Sequence, residues 1–404
     1  MIIGNGISGA TVALTLIKRD PNSKITLISE EPFHTYARMI LPDYIAGHIG
    51  EKALFLFGNG RCNSIRMILG KRVEGMVPQE NAIFLERGKK IYYENLLISS
   101  GASPSIPNIE GIGRKGVCPL RSIKDAREII ASATPGKKAV VLGGGLVGLE
   151  VTDGLVARGL KVEMVVGSPR ILSRVFDQRG AKIIEAFLRE RGIIIRNHTD
   201  VTGIDSIRNK KVVLLNTGEK LEGHLVIVAK GIKPNVDFIN KNEILLDQGI
   251  VVNRKMQTGI HNVYATGDVA MAPGFFEDAP IYNAIWGEAI YQGIVAADNM
   301  AGEDHLYEGN LRANIFEVLG LKASSIGQGA RPVEGSEIFS LEKSGSYKKL
   351  VFEQGRLVGA LLIGDIEESG FLQYLIRKRI NLGGKEETFL RNKVHYGMLT
   401  TLEK

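Results

Sequence analysis

The sequence predicts an α/β fold in which one kind of βαβ unit occurs twice and a smaller α+β domain follows. Segments 1–10 and 139–148 each have the pattern of a buried strand, a glycine-rich turn and the start of a helix. A helical stretch and a β-branched run follow each segment and complete a βαβ unit. Beyond Gly302 the pattern changes to short alternating runs on either side of Gln354-Gly355, which is typical of β-hairpins.

The composition is that of an ordinary globular protein with enough chain for two or three domains. The 404 residues are 44% hydrophobic and 24% charged. No segment approaches the ~18 apolar residues that a membrane helix needs, and the first residues lack the basic region of a signal peptide. We therefore expect a cytoplasmic protein without a membrane span.

The net charge of +7 suits a protein that binds polyphosphates or meets an acidic partner. No basic run is interleaved with aromatic residues, and the chain has a single Trp, so we do not expect nucleic acid as a partner.

Cysteine and histidine spacing predicts neither a disulfide framework nor a metal site. Cys62 and Cys118 are the only cysteines and form no C-x-x-C motif. The seven histidines are scattered along the chain without the close pairing of a zinc site.

The first glycine loop has the spacing of a dinucleotide-binding turn. Gly4, Gly6 and Gly9 form G-x-G-x-x-G after a strand, and Glu30 stands at the end of the next strand. In such units the helix N-terminus faces a pyrophosphate and the carboxylate accepts hydrogen bonds from a ribose. Only Met1–Ile3 precede the loop, whereas strands usually run to ~5 residues, which leaves open whether Met1 is the true start.

A second loop repeats the pattern at Gly143, Gly145 and Gly148, but the strand that follows ends without an acidic residue. Arg170 and Arg174 follow instead, and arginines at this position accompany a 2′-phosphate in NADP-binding proteins. The choice between NADH and NADPH stays open at this point.

Five further segments carry recognisable motifs: 93–104 with Gly101, 120–126 with Arg121, 226–235 with Gly231, 262–270 with Asp268, and 283–293 with Trp286. These segments resemble the FAD-dependent pyridine-nucleotide oxidoreductases, which have two dinucleotide-binding domains. The resemblance implies FAD and either NADH or NADPH as cofactors. It also implies a discontinuous FAD-binding domain (1–115 and 232–303), an NAD(P)H-binding domain (116–231) and a C-terminal α+β domain (304–404).

The resemblance also implies roles for single residues. Asp268 would bind the ribityl chain, and Trp286 would belong to the helix that packs beside the isoalloxazine ring. Arg38 and Arg121 would contact the flavin side, and Glu150 would lie near the nicotinamide. Segments 30–47 and 349–365 most resemble rubredoxin reductases and the flavin domain of NAD(P)H nitrite reductases.

One departure from the wider family narrows the chemistry. Residues 36–46 contain no cysteine where the disulfide reductases and many oxidases of this superfamily carry one. A thiol relay needs a reactive sulfur. We interpret Cys62 as a loop or half-buried cysteine without a redox role. We therefore expect hydride transfer from NAD(P)H to flavin without a redox-active disulfide.

The expected acceptor is a small acidic carrier of rubredoxin or iron-sulfur type, or a nitrite-reductase-like subunit. Direct reduction of oxygen or a small molecule is an alternative, and a slow-turnover flavoprotein with an interaction role is another. The sequence leaves the acceptor and the oligomeric state open.

Overall fold

The computed structural model describes residues 1–56, 64–208, 210–343 and 345–401. The chain divides into two compact units, each assembled from segments that are distant in sequence. The first contains Met1–Leu41, Ile49–Ser103 and Ile232–Leu311, and the second contains Pro42–His48, Pro104–Gly231 and Arg312–Lys404 as far as these are described.

The described residues form eight α-helices: α1 (Ile7–Arg19), α2 (Leu41–Ala46), α3 (Ile123–Ser132), α4 (Leu146–Ala157), α5 (Gln178–Glu190), α6 (Trp286–Met300), α7 (Ser369–Arg377) and α8 (Glu386–Arg391). Their strands are β1 (Ile2–Ile3), β2 (Ile25–Ser29), β3 (Ile65–Leu69), β4 (Val73–Val77), β5 (Ala82–Leu85), β6 (Lys89–Tyr92), β7 (Leu96–Ile98), β8 (Ala102–Pro104), β9 (Val117–Pro119), β10 (Lys138–Leu142), β11 (Lys161–Val165), β12 (Ile194–Arg196), β13 (Val201–Ile207), β14 (Lys210–Leu215), β15 (Lys220–Gly223), β16 (Leu225–Val228), β17 (Ile232–Pro234), β18 (Ile250–Val251), β19 (Val263–Ala265), β20 (Ala270–Pro273), β21 (Pro280–Tyr282), β22 (Ala313–Val318), β23 (Leu321–Gly327), β24 (Glu337–Lys343), β25 (Ser346–Glu353) and β26 (Arg356–Ile363).

The first unit is built on a parallel sheet in the order β19-β7-β1-β2-β3. Although β1 has two residues, Ile2 pairs with both Leu27 and Leu97, so this short strand is central and buried on both faces. Helix α1 packs closely on α6, where Gly293 lies against Ser8 and lets the two backbones approach.

The second unit contains a parallel sheet in the order β12-β11-β10-β16-β9, an antiparallel meander β13-β14-β15, and an antiparallel sheet β22-β23-β26-β25-β24. The meander shares a hydrophobic core with the parallel sheet. In the last sheet, Gln354 and Gly355 both have positive φ (51° and 72°) between the paired residues Glu353 and Arg356. Two positive φ angles fit a tight two-residue hairpin turn, as the sequence predicted.

The α/β class is confirmed, while the three-domain division stays a prediction. The sequence did not indicate that Pro42–His48 belongs to the second unit. This segment packs on α4 because Gly154 leaves room for the Pro42 carbonyl and the Ile45 side chain. No helix among the described residues has both the length and the apolar character to cross a bilayer.

Candidate functional site

At two positions of the first loop, the protein's own backbone is the reason that only glycine fits. Gly4 has a φ of 111°, and a Cβ there would collide with the Ser99 carbonyl. A Cβ at Gly9 would collide with the Gly4 carbonyl. Both positions therefore need glycine whether or not a ligand binds.

Gly6 is different, because neither conformation nor packing requires a glycine there. Its φ of −79° suits any residue, and a Cβ would meet no atom of the described residues within 4 Å. It is the N-cap of α1, and no side chain among the described residues caps that helix end. The open space in front of free backbone N–H groups fits a pyrophosphate, as FAD would place there.

The segment after the neighbouring strand β2 carries the two predicted charged residues: Glu30 follows the strand directly, and Arg38 begins the 3-10 helix Arg38–Ile40. Glu30 is exposed directly after β2. The Arg38 guanidinium lies 3.0 Å from the Glu31 carboxylate, to which Tyr36 also donates a hydrogen bond of 2.8 Å. Glu31 was not among the predicted site residues, yet it fixes the orientation of Arg38.

The second flavin motif is held by a buried hydrogen-bond network. Ser8 on α1 donates to the Thr266 hydroxyl (2.6 Å), and the Gly267 amide donates to Gln292 Oε1 on α6 (2.8 Å). Half-buried Asp268 follows, and its carbonyl accepts a hydrogen bond from the Tyr282 hydroxyl (3.0 Å). These bonds fix the backbone that carries Asp268.

Trp286 is half-buried and is the first residue of α6. Just before it, Asn283 is 9% exposed, and its buried Nδ2 atom has no hydrogen-bond partner among the described residues. Buried amide groups nearly always have a partner. The carbonyl oxygens of a flavin are suitable acceptors, so this orphaned donor fits FAD. Asn283 was not predicted as a site residue, although it lies in a segment that carried the resemblance.

The turn at Gly101 has a φ of 69° and is tied to Asn235. The Asn235 amide donates to the Gly101 carbonyl (3.0 Å), and its side chain donates to the Ser100 carbonyl (2.9 Å). Two of the segments that carried the resemblance therefore meet in the first unit. Gly231, with a φ of 99°, ends the second unit's central segment.

The second glycine loop repeats the logic of the first. Gly143 has a φ of 126° and lies against the Ala229 carbonyl, and Gly148 lies against the Gly143 carbonyl. Gly145 has an ordinary φ of −84°, and within the described part of the chain a Cβ there would meet nothing within 4 Å. It stands at the N-cap of α4, so the same open space for a pyrophosphate occurs in the second unit.

The strand after this loop ends at Val165, and Val166 packs on Gly144. Arg170 is half-buried, and its buried Nε atom has no partner among the described residues, whereas Arg174 is exposed. A contact of either arginine with a nucleotide stays a prediction.

Glu150 is half-buried on α4. Burial raises the pKa of its carboxyl from 4.5 to about 7, and the nearby charge of Asp43 adds to this shift. Such a carboxyl changes its charge near neutral pH. Side chains with a pKa shifted in this way are common at active sites.

Arg121 stands directly before α3, where Ser122 and Asp125 form a capping box. The Arg121 amide donates to the Asp125 carboxylate (3.0 Å), so the cap fixes the backbone at this position.

Cys118 is buried in β9, and burial raises the pKa of its thiol to about 12, with the charge of Glu128 adding to the shift. This thiol stays protonated at neutral pH and is a poor nucleophile. Cys62 lies outside the described residues.

Comparison with known proteins decides the family. Residues 1–298 match the family model for pyridine nucleotide-disulphide oxidoreductases, and residues 313–380 match the rubredoxin NAD+ reductase C-terminal domain. The chain belongs to the pyridine nucleotide-disulphide oxidoreductase family. It is an FAD-dependent enzyme that uses NADH or NADPH, and the predicted resemblance to rubredoxin reductases and nitrite reductases is confirmed.

Several relatives match this oxidoreductase over nearly the whole of its sequence. Over 98% of the chain it is 31% identical to the epsilon subunit of NADH-dependent phenylglyoxylate dehydrogenase from Aromatoleum evansii, and the match covers 96% of that protein. It is 29% identical over 95% of its length to nitrite reductase [NAD(P)H] of Bacillus subtilis, but spans only 47% of that longer protein.

Among solved structures, NADH:rubredoxin oxidoreductase from Clostridium acetobutylicum has 25% sequence identity and a TM-score of 0.77, with coverage of 95% of this chain and 96% of the other.

Proposed function

We propose that this oxidoreductase takes hydride from NAD(P)H and passes the electrons to a small acidic carrier of rubredoxin or iron-sulfur type, or to a nitrite-reductase-like subunit. FAD, when bound, accepts a hydride and can release the electrons one at a time. The observation that carries the proposal is the lack of cysteine in residues 36–46, together with the buried, protonated thiol of Cys118. The rubredoxin reductase and nitrite reductase relatives support the choice of acceptor class.

We propose that each unit contributes its own binding residues. In the first unit, Gly6 would leave room for the FAD pyrophosphate, Glu30 would bind its ribose and Asp268 the ribityl chain, and Asn283 would donate to the ring. In the second unit, Gly145 would leave room for the nicotinamide cofactor's pyrophosphate. We propose residues 1–115 and 232–303 as the FAD-binding domain and 116–231 as the NAD(P)H-binding domain, with 42–48 and 104–115 as parts of the FAD-binding domain that the structure groups with the second unit. Because NADH and NADPH are intracellular cofactors, we propose that the enzyme acts in the cytoplasm.

The acceptor is tested by reducing purified carriers at increasing ionic strength. Opposite charges steer two proteins together, and salt screens this attraction. With an acidic rubredoxin as acceptor, we expect the second-order rate to fall about tenfold between low salt and ~0.5 M salt. A neutral quinone serves as the control, since its rate should change little.

Two results would count against this assignment of the acceptor. A rate with acidic carriers that does not depend on salt would remove the electrostatic part of the proposal. Rapid NADH consumption with oxygen alone, without any carrier, would favour an oxidase.

A second candidate is a permanent subunit of a larger enzyme. It is favoured by the match to the epsilon subunit of a dehydrogenase, which covers nearly all of both chains. Co-purification with stable partner subunits from the native host, and weak activity with free carriers, would make it the better account.

We propose that Glu150 lies beside the nicotinamide and responds to its charge. The ring becomes cationic when NADH gives up its hydride, and an ionised carboxylate favours that cation. Because the pKa of Glu150 is raised to about 7, the carboxyl is neutral below this pH and ionised above it. We therefore expect the rate of flavin reduction by NADH to rise several-fold as the pH passes through about 7.

The variants Glu150→Gln and Asp43→Asn test this in stopped-flow reduction between pH 5.5 and 8.5. Glu150→Gln should abolish the rise. Asp43→Asn removes the neighbouring like charge and should move the midpoint to lower pH, because burial alone then raises the pKa. An unchanged profile in Glu150→Gln would show that another group titrates.

A further inference from the structure

A carboxylate from a later part of the chain lies beside the end of β11, where the local sequence has no acidic residue. Gly167 comes two residues after Val165, and a Cβ at Gly167 would lie 2.5 Å from Oδ1 and 2.7 Å from Oδ2 of Asp200. The Asp200 side chain thus occupies the space that a side chain of residue 167 would take. In dinucleotide-binding units, this strand end is where an acidic residue meets the adenosine ribose.

The backbone around Asp200 is fixed on both sides. The Thr199 amide donates to the Val166 carbonyl (3.1 Å), which ties this segment to the strand end. Asp200 and Asn216 exchange two hydrogen bonds: the Asp200 amide donates to Asn216 Oδ1 (3.1 Å), and the Asn216 amide donates to the Asp200 carbonyl (2.9 Å). The backbone that carries the Asp200 carboxylate is therefore fixed before a ligand arrives.

Lys230 holds the side chain of Asp200 from a neighbouring strand end. Its Nζ atom lies 2.8 Å from Asp200 Oδ1. Val165, Leu142 and Val228 are aligned in the parallel sheet, so Gly167 and Lys230 follow strands that end at the same edge. In this ion pair the lysine side chain is 23% exposed and the aspartate side chain 58% exposed. The acid is thus the member that stays available to a ligand.

We propose that Asp200 supplies, from outside the βαβ unit, the ribose carboxylate that β11 lacks, and that it makes the enzyme prefer NADH to NADPH. This rests on the proposed binding of the nicotinamide cofactor by the second unit. A carboxylate accepts hydrogen bonds from the ribose 2′-hydroxyl and repels a 2′-phosphate. Arg170 and Arg174 would favour NADPH instead. Measuring which nucleotide binds more tightly therefore decides whether Asp200 or the arginines set the preference.

The test measures dissociation constants of NAD+ and NADP+ for the FAD-loaded enzyme by calorimetry. The unmodified enzyme should bind NAD+ more tightly than NADP+. Asp200→Asn should weaken NAD+ binding about tenfold, because a charge-assisted hydrogen bond is lost. It should tighten NADP+ binding, because the repulsion of the 2′-phosphate is removed.

Two further variants separate recognition from a structural effect. Asp205→Asn is the matched control, since Asp205 is an acid on β13 of the same meander, has 53% side-chain exposure and pairs with Arg114 at 3.6 Å. It should leave both constants unchanged. Lys230→Gln breaks the ion pair but keeps the carboxylate, so the preference for NAD+ should persist.

Four outcomes would count against the proposal, and they differ in what they overturn. Tighter binding of NADP+ by the unmodified enzyme, or an unchanged NAD+/NADP+ ratio in Asp200→Asn, would overturn the role of Asp200 while leaving the proposed function intact. Loss of the preference in Lys230→Gln to the same extent as in Asp200→Asn would reduce Asp200 to a structural partner of the lysine. Failure of the unmodified enzyme to bind either nucleotide would overturn the proposed function itself.

Discussion

The variant Gly6→Val is expected to fold normally and to bind FAD at least a hundredfold more weakly. The Cβ of a valine at this position would meet no atom within 4 Å in the part of the chain that the structure describes, and the φ of −79° suits valine. The side chain would instead fill the space in front of α1 where we place the pyrophosphate. Loss of two charge-assisted hydrogen bonds to that group accounts for an effect of this size.

The measurement is FAD binding to the flavin-free protein, followed by flavin fluorescence quenching, with thermal unfolding as the check on folding. Gly259→Val is the matched control, because Gly259 also has no positive φ and a Cβ there would meet no described atom within 4 Å. It should bind FAD normally. Normal FAD binding by Gly6→Val would show that the pyrophosphate lies elsewhere.

The second large effect is expected from Gly145→Val, which should keep its FAD and lose reduction by NADH. Gly145 stands at the N-cap of α4 with the same open space and an ordinary φ of −84°. Filling that space should block the pyrophosphate of the nicotinamide cofactor alone. We expect the yellow colour to remain, and the rate of bleaching at low NADH concentration to fall about a hundredfold.

Gly113→Val provides the control for this variant within the second unit. Gly113 likewise has open space around it and no positive φ. Its reduction by NADH should match that of the unmodified enzyme. Loss of FAD from Gly145→Val would contradict the assignment of the two loops to different cofactors.

The glycine loops were predictable because their constraints are local. Gly4 and Gly143 have positive φ, and Gly9 and Gly148 lie too close to other backbone atoms for a side chain. The spacing of the glycines therefore follows directly from the geometry of the loop. The hairpin at Gln354-Gly355 was predictable for the same reason, since turn conformation and strand alternation both lie in a short segment.

The residues that the sequence did not reveal act across long separations. Asp200 reaches the end of β11 from the start of the meander, and Gln292 reaches Gly267 from α6. Asn283 stands out only because its buried donor has no described partner, which depends on burial rather than on sequence pattern. Such contacts depend on how the sheets and helices pack, so the spacing of residues in a short segment does not predict them.

The central claim, that the chain transfers hydride from a nicotinamide cofactor to its flavin, is tested most directly by the unmodified arm of the Gly145 experiment. The purified yellow protein is mixed anaerobically with NADH or NADPH in a stopped-flow instrument, and flavin bleaching is followed. We predict rapid bleaching, faster with NADH at equal low concentration. A flavin that neither donor reduces would contradict the account.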